Sequence, residues 1–315
     1  MTQLDRVVVT GGAGFIGANL SRSLVESGAA RSVVAYDNLS TGFADNIDGL
    51  RDVELVKGDI LDQERLTRVL SGADAVVHLA ARPSVPKSIE NPLATHDNNA
   101  TGTIRLLEAM RSAGVDRAVV ASSSSVYGAN PALPKVESLT PMPVSPYAVS
   151  KLAAESYALS YGQVFGLRTV AFRFFNVFGP LQRAGHAYAA VVPTFIDAAL
   201  AGTPLPVHGD GGQTRDFTYV GSVTRVIGEV LTRGVESPTP VNLAFGTRYS
   251  LLELIALLEK LLDRPLERQH TEPRAGDVRD SQADQTAVRA LVPDLEPVDL
   301  ETGLRETIAW FRSRA

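Results

Sequence analysis

Short apolar runs rich in valine recur along the first half of the chain, at residues 6–10, 32–36, 53–56, 75–80, 117–121 and 168–174. Each is continuous rather than alternating, the pattern of strands in a parallel sheet covered on both faces. Between them, residues 18–27 and 101–112 carry apolar positions at helical spacing, so the order strand, helix, strand repeats. This predicts an α/β fold, a doubly wound parallel sheet of the Rossmann type. After about Val177 the elements shorten, prolines accumulate and loops such as 180–188 and 208–217 appear, which predicts a smaller α+β C-terminal lobe. Within it, 251–262 has a wide apolar stripe and 304–311 predicts a closing helix. The expected division is 1–177, with 218–245 returning to the large sheet, and 178–217 plus 246–315 as the lobe.

Composition narrows the classes of partner. The chain has 315 residues, 44% apolar and 21% charged, which is enough to bury a substantial core. A net charge of -5 with basic residues scattered among acidic ones leaves no electrostatic footprint for nucleic acid or an anionic membrane. The absence of cysteine excludes disulfides and thiolate chemistry, and five dispersed histidines offer no metal-ligand spacing, so no metal is expected. No basic segment followed by an apolar signal core opens the sequence, and no apolar stretch approaches the ~20 residues needed to cross a bilayer; a cytoplasmic protein is expected.

The first strand runs directly into TGGAGFIG, with Gly11, Gly14 and Gly17 spaced three apart across a strand-to-helix turn. Glycine there permits a tight turn, lets a pyrophosphate approach bare backbone and lets the helix lie close to the strand. The N–H groups at the helix start favour the anion. A plain tight turn would look the same, but Asp37 ends the second strand 20 residues after Gly17, where a carboxylate can accept bonds from an adenosine ribose. No arginine follows Asp37 closely, and its charge would repel a 2′-phosphate, so NAD is favoured over NADP.

Ser145 and Pro146 read as an N-cap and first helical position, which puts Tyr147 in the first turn and Lys151 on the same face one turn later. A free phenol has a pKa near 10, so ionising half of it at pH 7 takes roughly 4 kcal/mol. A neighbouring ammonium, the helix start and an oxidised nicotinamide all act in that direction. The fifth strand ends in ASSSSVYG, at the edge where such sheets bind ligands, offering hydroxyls to a reacting sugar oxygen; a serine-rich loop is the plainer alternative.

Together TGGAGFIG, DNLSTG, GDI, HLAA, ASSSSVYG, SPYAVSK and RFFNVFGP resemble the extended short-chain dehydrogenase/reductases, especially the UDP-glucose and UDP-N-acetylglucosamine 4-epimerases, over nearly the whole chain and in the family's order. The resemblance implies Tyr147 as catalytic base, Lys151 as its partner on the ribose, and Ser123 as the hydroxyl on the sugar oxygen. It implies cofactor contacts at Gly11, Gly14, Phe15, Ile16 and Gly17, at Asp37, Asn38, Leu39, Ser40, Thr41 and Gly42, and at the adenine-side Asp59 and Ile60. Further cofactor contacts are implied at Leu79, Ala80 and Ala81, at Asn98 or Asn99, and at Ser122 and Phe175. For the UDP-sugar substrate it implies Ser84, Ser125, Asn176 and Val192, with Arg215 and Arg274 as a clamp on the diphosphate and Asp277 beside them. The implied reaction is a reversible oxidation at C4, in which NAD takes up a hydride, leaves a transient 4-keto sugar, and returns the hydride to the opposite face.

A dehydratase of the same family also begins at C4 but needs an additional acid and base, which many relatives place as Asp and Glu after the catalytic hydroxyl. Ser124 and Ser125 stand there instead. A non-catalytic NAD-binding module would keep the glycine turn without needing Tyr147 and Lys151. Ser281, four residues after Asp277, resembles a gatekeeper position, and its small side chain suggests room for an N-acetyl group; an ordinary loop serine is the alternative. Gly221 and Ser222 stand where many relatives are acidic, and Pro83 where some epimerases have lysine. The resemblance also implies a homodimer through helices near 101–112 and 151–161.

Overall fold

The computed structural model describes residues 2–184, 190–272 and 279–314. The chain begins with β1 (Leu4–Thr10), α1 (Phe15–Glu26), β2 (Ala30–Asp37) and β3 (Val53–Lys57), then α2 (Gln63–Leu70) and β4 (Ala75–His78). Two short helices, α3 (Val85–Glu90) and α4 (Pro92–His96), lead through a π turn at Asp97–Thr101 into α5 (Gly102–Ala113). There follow β5 (Arg117–Ser123), the long α6 (Pro146–Phe165), β6 (Arg168–Phe174) and the two-residue β7 (Val177–Phe178).

The remainder comprises α7 (Val191–Ala201), β8 (Leu205–His208), β9 (Thr214–Arg215), β10 (Thr218–Tyr219), α8 (Val220–Arg233), β11 (Val241–Leu243), β12 (Tyr249–Ser250), α9 (Leu251–Leu262), β13 (Arg268–Thr271), α10 (Thr286–Leu291) and α11 (Leu300–Arg312).

Seven strands form one parallel sheet in the order β11-β6-β5-β4-β1-β2-β3. The chain winds outward from β1 to β3, then returns to the other side of β1 at β4, which opens a crevice between the carboxyl ends of β1 and β4. Continuous apolar strands are needed because both faces are covered. One face packs Val7, Val9, Val77 and Val170 against Leu20 and Leu24 of α1 and Val223, Ile227 and Leu231 of α8. The other packs Val8, Val34, Val76 and Val120 against Leu66, Leu106, Met110 and Ala158.

The returning segment divides. Val241–Leu243 joins the sheet edge beside β6, but Thr218–Tyr219 pairs with β7 in a separate two-stranded ladder, because the chain turns into α8 directly after Tyr219. A second core fills the lobe, where Phe195 and Ile196 of α7 meet Leu254, Ile255 and Leu258 of α9 and Leu304 and Ile308 of α11. Ser250 starts α9 with a reciprocal capping box to Glu253. No helix among the described residues is long and apolar enough to cross a membrane.

Candidate active site

The β1–α1 turn is shaped by what its glycines lack. Gly11 has φ +71°, and a Cβ there would lie 2.8 Å from the Ala80 amide nitrogen at the end of β4. A Cβ on Gly17 would overlap the Gly11 carbonyl oxygen, so α1 can lie this close to the turn only without one. Gly14 is the N-cap of α1 and makes no side-chain cap, so the helix presents bare N–H groups to the crevice. Phe15 and Ile16 follow in the first turn.

Asp37 is buried at the carboxyl end of β2 and accepts bonds from the backbone of Ala13 at 3.0 Å and Leu39 at 2.8 Å. One carboxylate thus holds the glycine turn and the next loop together, and Gly42 of that loop lies where a Cβ would be 2.8 Å from it. Asn38 donates to Asp59 at 2.9 Å and accepts from the Ser40 amide, while Thr41 is exposed beside them. Ile60 is buried against Gly102 at the start of α5. Arg183 fastens this loop to the lobe, lying 3.6 Å over the Phe43 ring and 2.6 Å from Asp45. A bare-amide turn, a carboxylate on the second strand and a close wall at Leu79, Ala80 and Ala81 fit a dinucleotide.

α6 begins as its sequence predicts: the Ser145 hydroxyl accepts the Ala148 amide and Pro146 occupies the first turn. Tyr147, Lys151 and Glu155 therefore share one face. That face meets three consecutive residues of β5. Tyr147 lies beside Ser123, whose hydroxyl acts on the phenol, Lys151 donates to the Ala121 carbonyl at 2.6 Å, and Glu155 accepts from the Ser122 hydroxyl at 2.6 Å. Burial holds the Tyr147 phenol above its ordinary value, opposed by Ser123, and burial pulls the Lys151 ammonium down to about 8. Ser123 is the group that opposes the effect of burial on the phenol, while the Lys151 ammonium is anchored by the Ala121 carbonyl and keeps its charge. Ser125 donates its hydroxyl to Ser123 at 2.9 Å, which completes a small hydroxyl cluster at the strand end.

The opposite wall is held by side chains with little freedom. Asn99 receives the Arg82 amide at 2.7 Å and donates to Ser150 at 2.9 Å, so its side chain supports the loop after β4. Asn98 donates to Ala94 within its own helical turn. Ser84 adopts φ +93°, strained for a non-glycine residue, as it starts α3. Phe175 is buried 6.3 Å from the Tyr127 ring, in the packing behind the serines.

A cleft of about 240 Å³ opens between α7, β8 and β9. Asn176, Val192 and Arg215, expected at the substrate, line it, together with Phe195, His208, Gln213 and Phe217. The last four carry no pattern in the sequence that separates them from ordinary loop and core residues. Ser281 donates its amide to Thr214 at 3.2 Å and is not among the described residues lining the cleft. Arg274 and Asp277 lie outside the described residues.

Three buried ionisable side chains, Arg173, Glu155 and Asp216, escaped the sequence reading. Arg173 makes a two-point ion pair with Glu155 at 2.7 and 2.9 Å, and a charged residue inside the apolar run RTVAFRF is the signal that could have revealed it. Asp216, next to Arg215, is fully buried, and burial raises its carboxyl to about 6 although Ala283 and Thr247 donate to it. No cluster of metal-binding side chains occurs among the described residues.

The model of the NAD dependent epimerase/dehydratase family matches residues 7–244. A UDP-glucose 4-epimerase of Mycolicibacterium smegmatis is 36% identical, with 98% of this chain and 99% of that protein covered. The UDP-N-acetylglucosamine 4-epimerase of Methanobrevibacter ruminantium, solved with UDP-N-acetylmuramic acid, superimposes with a TM-score of 0.93 at 35% identity, covering 100% of both chains. A dTDP-glucose 4,6-dehydratase from Streptomyces venezuelae, solved with NAD, also superimposes, with a TM-score of 0.90 at 31% identity over 98% of this chain and 97% of that one.

Proposed function

The chain belongs to the NAD-dependent epimerase/dehydratase family, and from that premise we propose that it is an NAD-dependent UDP-sugar 4-epimerase. The observation that carries this reading is Tyr147 standing next to Ser123 at the carboxyl end of β5, in the same sheet whose β1 leads into the glycine turn, with Ser124 and Ser125 next in sequence where elimination would call for carboxylates. That difference favours epimerisation over dehydration.

The Gly11–Gly17 turn and Asp37 would hold NAD, which when bound would supply the hydride acceptor and donor for C4. The protein supplies the remainder. Tyr147 removes the proton of the sugar 4-hydroxyl as C4 is oxidised and returns a proton as it is reduced. Ser123 holds the same oxygen, and Lys151 places a positive charge behind the phenol. The cleft lined by Asn176, Val192 and Arg215 retains the nucleotide, Arg215 facing the diphosphate, while the keto sugar turns its other face. Arg274 and Asp277 belong to this substrate set by sequence.

A cytoplasmic homodimer is part of the reading. Exposed Val149, Tyr157 and Val164 follow one another at helical spacing along α6, with exposed Ile89 and Leu93 on the neighbouring α3 and α4, an apolar surface suited to a second copy. It draws on α6 and the two short helices more than on α5.

Incubating the purified protein with UDP-glucose, UDP-galactose, their N-acetyl counterparts and UDP-glucuronate, and resolving the products, tests the activity. A C4 epimer is expected. A dehydrated keto sugar would mean a dehydratase, and unchanged substrate throughout would leave a binding module. The resemblance of Ser281 to a gatekeeper position is the reason for including the N-acetylated sugars, although Ser281 is not among the described residues lining the cleft, and Ser281→Tyr is the variant that examines this.

A further inference from the structure

The pair Glu155–Arg173 is buried almost completely, with 4% and 3% of the two side chains exposed. Replacing such a pair by well-packed apolar side chains is often neutral or stabilising, so stability alone gives little reason for it. Its position is more informative. Glu155 stands one helical turn beyond Lys151 and two beyond Tyr147, and its carboxylate accepts the hydroxyl of Ser122, the residue between the two that Lys151 and Tyr147 engage. Arg173 reaches it from β6, the strand beside β5, and donates also to the Glu137 carbonyl at 3.2 Å. The guanidinium lies 4.7 Å over the Tyr127 ring, whose hydroxyl donates to Asn242 on β11 at 2.6 Å. The catalytic helix is thus tied to three neighbouring strands at one point.

Resting on the epimerase reading above, we infer that Glu155 and Arg173 are positioning residues for the reaction: they fix the height of α6 against β5 and keep the charge behind Tyr147 and Lys151 balanced. The remaining groups around this point are Lys151 on the same helix, Ser122 and Ser123 on β5, the neutral His78 on β4, and Tyr127, Lys135 and Glu137 on the segment between β5 and α6. Glu155 and Arg173 are joined directly to each other, and Glu155 ties the pair to β5 through Ser122.

The test separates charge from geometry in the cofactor-loaded enzyme. Glu155→Gln leaves a lone guanidinium and is expected to lower the apparent pKa of the Tyr147 phenol, whereas Arg173→Met leaves a lone carboxylate and is expected to raise it, each by about half a unit at this distance. The double variant is expected to return it to the native value. Arg173→Lys keeps the charge without the two-point grip, and is expected to lose kcat about tenfold with KM and pH profile little changed. Two readouts serve: the pH profile of kcat/KM, and an ultraviolet difference titration against a Tyr147→Phe background. Folded variants that shift in the same direction, or not at all, would overturn the inference; should both single variants fail to fold, the double variant and Arg173→Lys decide it by kcat. A native enzyme silent on every UDP-sugar would instead sink the epimerase reading, and the titration would still judge the pair.

Discussion

Lys151 donates its ammonium to the main-chain oxygen of Ala121 at 2.6 Å, on the strand whose next residues carry the hydroxyls of the site. The bond fixes the cation without neutralising it, because a carbonyl contributes only a dipole. The ammonium sits where burial brings its pKa to about 8, so it is charged below that pH and neutral above it. The rate of epimerisation is therefore expected to fall as pH rises through about 8. Lys151→Met is expected to lose that alkaline limb together with about 100-fold in kcat, read from a pH series on both proteins.

Tyr147 and Ser123 stand side by side and are proposed to act on one sugar oxygen. Tyr147→Phe is expected to lower kcat by about 1,000-fold and Ser123→Ala by about 100-fold, with circular dichroism and bound NAD unchanged. A fully active Tyr147→Phe would remove the phenol from the mechanism.

His78 lies between the hydroxyls of Thr10 at 2.8 Å and Thr103 at 3.0 Å, and burial lowers its pKa to about 3. The unfolded chain takes up this proton below about 6.5 while the folded chain does not, so the contribution to stability is complete above 6.5 and is lost as pH falls towards 3. The full difference is on the order of 3–5 kcal/mol. Urea titrations at pH 7 and pH 4 should show His78→Asn losing less stability on acidification than the native protein.

Gly17→Ala places a methyl group on the Gly11 carbonyl, and backbone on both sides leaves no easy relief. A loss of stability of about 2 kcal/mol is expected. Bound NAD, measured by mass spectrometry of the native protein, should fall as well, whereas Gly228→Ala, whose added methyl would meet nothing nearer than 3.8 Å, should leave both the occupancy and the fold of the turn intact.

Val149→Glu together with Leu93→Glu puts carboxylates on the exposed apolar surface of α6 and α4. Light scattering is expected to change from the mass of two chains to that of one, while a mass of one chain for the native protein would refute the homodimer.

The sheet was legible in the sequence because parallel strands covered on both faces must be apolar throughout, and 168–174 matches β6 at both ends. The start of α6 was legible because Ser145 and Pro146 perform local chemistry that needs no distant partner. Thr218–Tyr219 was harder: two residues carry no period, and only the position of β7 decides their pairing. The walls of the cleft were hidden for a related reason, since Phe195, His208 and Phe217 come from separate elements of the lobe. Arg173 shows the opposite case, in which an anomaly was visible but its partner lay on another element.

The cleft proposed to retain the nucleotide is walled by α7, β8 and β9, while the side chains proposed to handle protons stand on α6 and β5. Recognition and reactivity are therefore built from different parts of the chain, joined through short links such as Asn176. Drift in the lobe can exchange one sugar nucleotide for another without disturbing proton transfer, so a family with this plan can broaden its diet while its chemistry stands still.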